Sequence, residues 1–126
     1  MTDVTPVIDR YVAIWNETDA ARRRALIAQT WTEDASYIDP LMRGDGPDGI
    51  DAMIAGVQQQ FPGHWIQRTG EIDAHNDRVR FAWALVGASG ESPVVAGVDF
   101  GVVAADGRLQ AITGFLDQGP VLSEGA

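Results

Sequence analysis

YIDPLMRGDGPDGID, residues 37–51, can be read in two ways. Gly44, Gly46 and Gly49 spell G-x-G-x-x-G between a predicted strand and a predicted helix, the pattern of a dinucleotide-binding turn. The same stretch places a lone acid, Asp39, at the last position of an otherwise apolar strand, in front of Pro40. The first reading makes a nucleotide fold. The second makes a strand that delivers a carboxylate.

The residues on either side decide between them. Upstream, Val4, Ile8, Tyr11, Val12 and Trp15 recur at helical spacing and predict a helix over residues 5–17, with Pro6 tolerated in its first turn. Asp19 can cap a second helix over residues 20–31, whose apolar face is Leu26, Ile27, Thr30 and Trp31. A short strand over residues 35–39 ends at Pro40. Pro47 and Asp48 open a third helix with the stripe Ile50, Met53, Ile54 and Val57, stopped by FPG at residues 61–63. Downstream the pattern is all strand: residues 64–75, 78–88, 93–104 and 108–118. Turn signals at Asn76–Asp77, SGES (residues 89–92) and Asp106–Gly107 separate these runs.

This order predicts an α+β fold, with three N-terminal helices packed on one face of a curved, mainly antiparallel sheet. The phosphate-loop reading then fails. A dinucleotide fold needs strand, helix and parallel strand repeated, and this chain never returns to helix. Asp45 and Asp48 would also put negative charge where a pyrophosphate should sit. The glycines read instead as a tight connection into the third helix.

A chain of 126 residues is one domain, residues 1–126, with a loose tail after about residue 119. Nine arginines, no lysine and 18 acids give a net charge of −9, which argues against nucleic acid as a partner. The run Arg22–Arg24 reads as a solvated helix face. The absence of cysteine excludes disulfides, thiol catalysis and zinc-thiolate sites. Two histidines, far apart and without acidic partners at ligand spacing, predict no metal. No apolar run approaches a membrane span and the N-terminus is no signal peptide, so the expectation is a cytoplasmic protein with no membrane partner.

Strand alternation tests the carboxylate reading. Ala35, Tyr37 and Asp39 share a face, as do Val79, Phe81, Trp83 and Leu85. Val95, Gly97, Asp99, Gly101 and Val103 share another, with Asp99 mid-strand among apolar side chains. A carboxylate there is costly unless hydrogen-bonded, paired or protonated. Gly97 and Gly101 beside it would leave space over the sheet, as a cavity floor does. Either acid alone reads as structural. Both together, near a helix carrying Tyr11, point to a site.

RYVAIWNETD, WTEDASYIDP and VDFGVVAADGRLQAITGF make residues 4–118 resemble the NTF2-like (cystatin-like) superfamily, in particular the SnoaL-like proteins and ketosteroid isomerases. The resemblance implies a cone-shaped fold around an apolar pocket, frequent dimers and no cofactor. It implies that Tyr11 is an oxyanion-binding tyrosine, Asp39 the general base, and Asp99 a second oxyanion donor held protonated. Trp15, Tyr37, Met53, Phe81, Trp83 and Leu116 would line the pocket, with His64 at its mouth. Trp15, Tyr37 and Trp83 stand where smaller residues would admit a flat polycycle, so a smaller or differently shaped ligand is expected. The functional expectation is carboxylate acid/base chemistry on a carbonyl compound, as an isomerase or cyclase. The alternatives are a non-catalytic binder of a small hydrophobic ligand and a dimerisation scaffold whose cone is filled. A homodimer is expected through the outer sheet face, where Val94, Ala96, Val98, Phe100, Val102 and Phe115 point away from Asp99.

Overall fold

The structure is a computed structural model and describes residues 3–87 and 93–118. The expected SGES turn and the tail after Gly119 lie outside the described residues. Helix α1 (Thr5–Asn16) starts with a proline in its first turn and buries Val7, Ile8, Tyr11, Ile14 and Trp15. Asp19 caps α2 (Ala20–Thr30) as expected, its side chain accepting from the Arg22 backbone N–H at 2.9 Å. Thr30 is the last residue of the helix. Trp31 takes an extended conformation and begins β1 (Trp31–Ile38), which is longer than predicted because the polar residues 32–34 also lie in the strand.

The turn after β1 leads to a short strand, β2 (Arg43–Asp45), and only then to α3 (Gly46–Gln60). The third helix therefore follows two strands, and the expectation of three N-terminal helices is corrected to two. Gly46 opens α3 with φ +71°, a backbone state that disfavours any side chain. A Cβ on Gly44 would lie 3.0 Å from the Gly49 carbonyl oxygen. Both glycines thus serve a tight strand-to-helix connection, as read from the sequence.

The remaining strands are β3 (Trp65–Arg68), β4 (Asp73–His75), β5 (Arg78–Val86), β6 (Val95–Val103) and β7 (Leu109–Gln118). The sheet runs β2-β1-β7-β6-β5-β3, with β4 also on β5. Its pairings are antiparallel except β1 with β7, which is parallel. The register shifts between Trp31 and Ser36 in the β1–β7 pairing, and at Ala96/Gly97 and Val102/Val103 in the β6–β7 pairing. Helix α3 packs over β1 and β2, and α1 packs against α2 and β3. The core between the layers contains Ile8, Ile14, Ile27, Trp31, Ile50, Ile54, Phe81 and Ile112.

The arginine run is not a uniformly solvated face. Arg22 and Arg24 are exposed, but Arg23 is 4% exposed and its Nε donates to Asp51 of α3 at 2.6 Å. Its Nη1 donates to the Glu17 carbonyl and to Gln58 Oε1. Gln58 in turn donates to the carbonyls of Trp15 and Glu17. This network joins the end of α1, the start of α2 and the middle of α3. It is the physical reason a charged residue can be buried there. No helix of the described residues is long and apolar enough to cross a membrane.

Candidate functional site

A cavity of about 550 Å3 opens between α1, α3 and the curved sheet, within the roughly 300–1,000 Å3 common for small-molecule sites. Its wall is largely apolar: Trp15, Met53, Val57, Phe81, Leu85 and Leu116 contribute, and Leu41 and Arg43 border it from the β1–β2 turn. A filled cone is thereby contradicted. Among the polar side chains that reach the cavity are Tyr11 from α1, Asp39 from the turn just past β1, one residue beyond the strand expected to carry it, and Asp99 from the middle of β6.

Asp99 is 3% exposed. Its Oδ2 accepts from the Tyr11 hydroxyl at 2.6 Å and its Oδ1 from the Trp83 indole N–H at 2.9 Å. Burial pushes its carboxyl up to about 6, against the pull of those two hydrogen bonds, and the Asp39 charge pushes the same way as burial. The direction agrees with the sequence expectation of a protonated Asp99, but the extent is smaller. Burial first, and then the Asp99 charge, hold the Tyr11 phenol well above its ordinary value, so it stays a donor.

Asp39 sits beside Pro40 in the turn that folds β1 back onto β2. Its Oδ1 accepts from the backbone N–H groups of Leu41 and Met42 at 2.8 and 3.0 Å. Its own N–H donates to the Met42 carbonyl at 3.0 Å. The aspartate thus builds the turn that places it. Its Oδ2 accepts from the Tyr37 hydroxyl at 2.6 Å. Tyr37 is 2% exposed, and burial, followed by the charges and hydrogen bond of the two acids, pushes its phenol up.

Two tyrosine–carboxylate pairs therefore face one cavity, and they meet at Gly114 of β7. A Cβ there would lie 2.9 Å from Asp99 Oδ1, 3.1 Å from Asp39 Cβ and 3.2 Å from the Tyr37 hydroxyl. The space expected over Gly97 and Gly101 is occupied. A Cβ on Gly97 would meet Trp83 at 2.9 Å and the Phe115 carbonyl, and one on Gly101 would meet Ile112 and Val79 at 2.9 Å. These glycines admit neighbouring groups, and the residues around Gly97 (Trp83, Val95, Asp99 and Leu116) line the cavity.

Of the residues singled out from the sequence, Tyr11, Trp15, Tyr37, Asp39, Met53, Phe81, Trp83, Asp99 and Leu116 all line the cavity. His64 does not. Its Nδ1 lies 3.0 Å from the Pro62 carbonyl, and its ring packs edge-on against Phe61 in a separate small recess. The turn residues Leu41, Met42 and Arg43 escaped the sequence reading because no periodicity marks them. Val57 was visible only as part of the α3 stripe. The hydrogen bonds from Trp83 to Asp99 and from Tyr37 to Asp39 were also missed, since both side chains were read only as apolar wall. Among the described residues no cluster of potential metal ligands is present.

A family model described as a SnoaL-like domain matches residues 8–112. Among solved structures, a candidate isomerase of the SnoaL-like family from Agrobacterium tumefaciens is similar at 41% identity and a TM-score of 0.87, over 93% of this chain and 99% of that one. A candidate SnoaL-like polyketide cyclase from a Jannaschia species matches at 19% identity and 0.70, over 99% and 93%. A protein with a cystatin-like fold from Nostoc punctiforme matches at 13% identity and 0.72, over 94% and 92%. The last two likenesses concern the fold alone. No curated protein matches the sequence.

Proposed function

The chain belongs to the SnoaL-like family, and from that premise we propose that it is an isomerase- or cyclase-type enzyme acting on a small apolar carbonyl compound. The observation that carries this reading is convergence: Tyr11, Asp39 and Asp99 come from distant parts of the chain to one largely apolar cavity. Asp39 takes a proton from the carbon next to the carbonyl. Tyr11 and the neutral form of Asp99 donate to the enolate oxygen that results. A bound oxyanion favours the neutral acid by charge repulsion, so the ligand itself recruits the form that its binding needs. Each such donor is worth roughly 3–4 kcal/mol in a preorganised site. Asp39 then returns the proton to another carbon of the enolate.

The likeness to a candidate isomerase at 41% identity supports this class of reaction. One observation favours a second reading, a binder without turnover. Asp39 Oδ1 already accepts two backbone N–H groups and Oδ2 accepts from Tyr37, so the acid has a structural task independent of chemistry. The two readings separate in deuterated buffer with a panel of small cyclic ketones. An enzyme exchanges the hydrogens next to the carbonyl faster than buffer does, in proportion to protein concentration. A panel that binds in the cavity but exchanges only at the buffer rate would leave a binding protein.

A further inference from the structure

Trp83 has a task that its size conceals. Its indole nitrogen donates and cannot accept, and it lies 2.9 Å from Asp99 Oδ1. The same oxygen is turned towards β7, where a Cβ on Gly114 would lie 2.9 Å away. The other oxygen, Oδ2, is turned towards α1, 2.6 Å from the Tyr11 hydroxyl, which can donate or accept. A proton on Oδ1 would set an O–H donor beside an N–H donor and weaken the acceptor that the half-buried indole uses. A proton on Oδ2 meets no such conflict.

We propose that Trp83 is a positioning residue: its indole N–H, held on Oδ1 of Asp99, confines the proton of the neutral acid to Oδ2, beside the Tyr11 hydroxyl. This rests on the reading of Tyr11 and Asp99 as the pair that receives an oxyanion, and it says how the pair is aimed. With the proton on Oδ2, the two hydroxyls share one hydrogen bond, and a ligand oxygen that parts them can accept from both. By bonding the charged form of Asp99, Trp83 also sets the pH above which the second donor is lost. The groups that face Asp99 are Tyr11 of α1, Tyr37 and Asp39 from β1 and its turn, and Trp83 of β5. Gly114 of β7 brings no charge.

The test uses the full chain labelled with nitrogen-15. The sequence has four tryptophans, and the Trp83 indole signal is the one absent from Trp83→Phe. That signal should move with the Asp99 titration and stop doing so in Asp99→Asn. In Trp83→Phe the Asp99 midpoint should rise on the order of one pH unit, a tenfold change in proton affinity, because a hydrogen bond to the charged form is gone. Binding of 2-naphthol, followed by fluorescence, should persist to a higher pH by the same interval. A tryptophan that merely fills the wall would move none of these. An indole signal indifferent to Asp99, or an unmoved midpoint in Trp83→Phe, overturns the proposal. If Tyr11→Phe and Asp99→Asn both bind 2-naphthol as tightly as the unaltered protein, the oxyanion reading itself fails. The indole titration, which needs no ligand, then decides the role of Trp83 alone.

Discussion

A carboxylate in the middle of an apolar strand has to be neutral or well bonded, and Asp99 is partly both. Its pH behaviour follows. Burial raises the folded carboxyl from 3.8 to about 6, so the folded chain holds the proton more tightly than the unfolded chain. Stability from this group is complete below about pH 4 and is lost as the pH climbs through about 6. The rise corresponds to about 3 kcal/mol. Asp99→Asn has no such loss, and it fits the site if its oxygen accepts from Trp83 and its amide donates to Tyr11. Urea unfolding at pH 4 and pH 8 should therefore show the variant gaining on the unaltered protein by an amount of that order. A gap that stays constant, or opens the other way, would mean that Asp99 is held as a stabilised anion. That an acid at this position needed an explanation was legible from strand alternation alone. The identity of its partners was not, because Tyr11 and Trp83 lie 88 and 16 residues away and no local pattern encodes such pairings.

Among the elements, α1 and the strands β5, β6 and β7 were read nearly to their ends because apolar spacing marks them, whereas the single strand expected over residues 64–75 is two short ones, β3 and β4, interrupted at residues 69–72 where Gly70 takes φ +132°. The boundaries that moved lie where spacing is interrupted. Trp31 fits the end of an amphipathic helix and the start of a strand equally well, and the sheet took it. Strand β2 is three residues long, with exposed Arg43 and Asp45 on either side of buried Gly44, and its partner β1 is chosen by the Asp39–Met42 turn, which no propensity displays. The arginine run misled in one position of three. Burial of Arg23 depends on Asp51, a residue 28 positions away on another helix. Removing one partner of a buried ion pair leaves the other uncompensated and typically costs about 3–5 kcal/mol. Asp51→Ala should lose stability of that order in denaturant unfolding, while Asp48→Ala, whose partner Arg24 is exposed, should lose under about 1 kcal/mol. Equal effects of the two substitutions would show that the network around Arg23 does not hold the helices together.

At the scale of the whole molecule, the described residues present an apolar cavity and an outer sheet face where Phe100 and Phe115 are 44% and 53% exposed and pack edge to face at 5.7 Å. We propose that this outer face pairs with a second copy of the chain. Sedimentation at micromolar concentration should then give a dimer, and Phe115→Glu should shift it towards monomer. A monomeric unaltered protein would contradict this. The cone and its family could be read from sequence because the acid-proline strand end, the tyrosine of α1 and the mid-strand acid recur at recognisable places along 126 residues. The size of the void could not, since it depends on how Trp15, Tyr37 and Trp83 turn within the wall. The base proposed at Asp39 is probed with the least disturbance by Asp39→Asn. The amide keeps the shape and removes the proton acceptor. Hydrogen exchange on a ketone bound in the cavity should fall roughly 10²–10⁴-fold, while ketone affinity changes by less than about threefold, under 1 kcal/mol. Exchange that continues at the unaltered rate in Asp39→Asn would show that the strand end delivers no base.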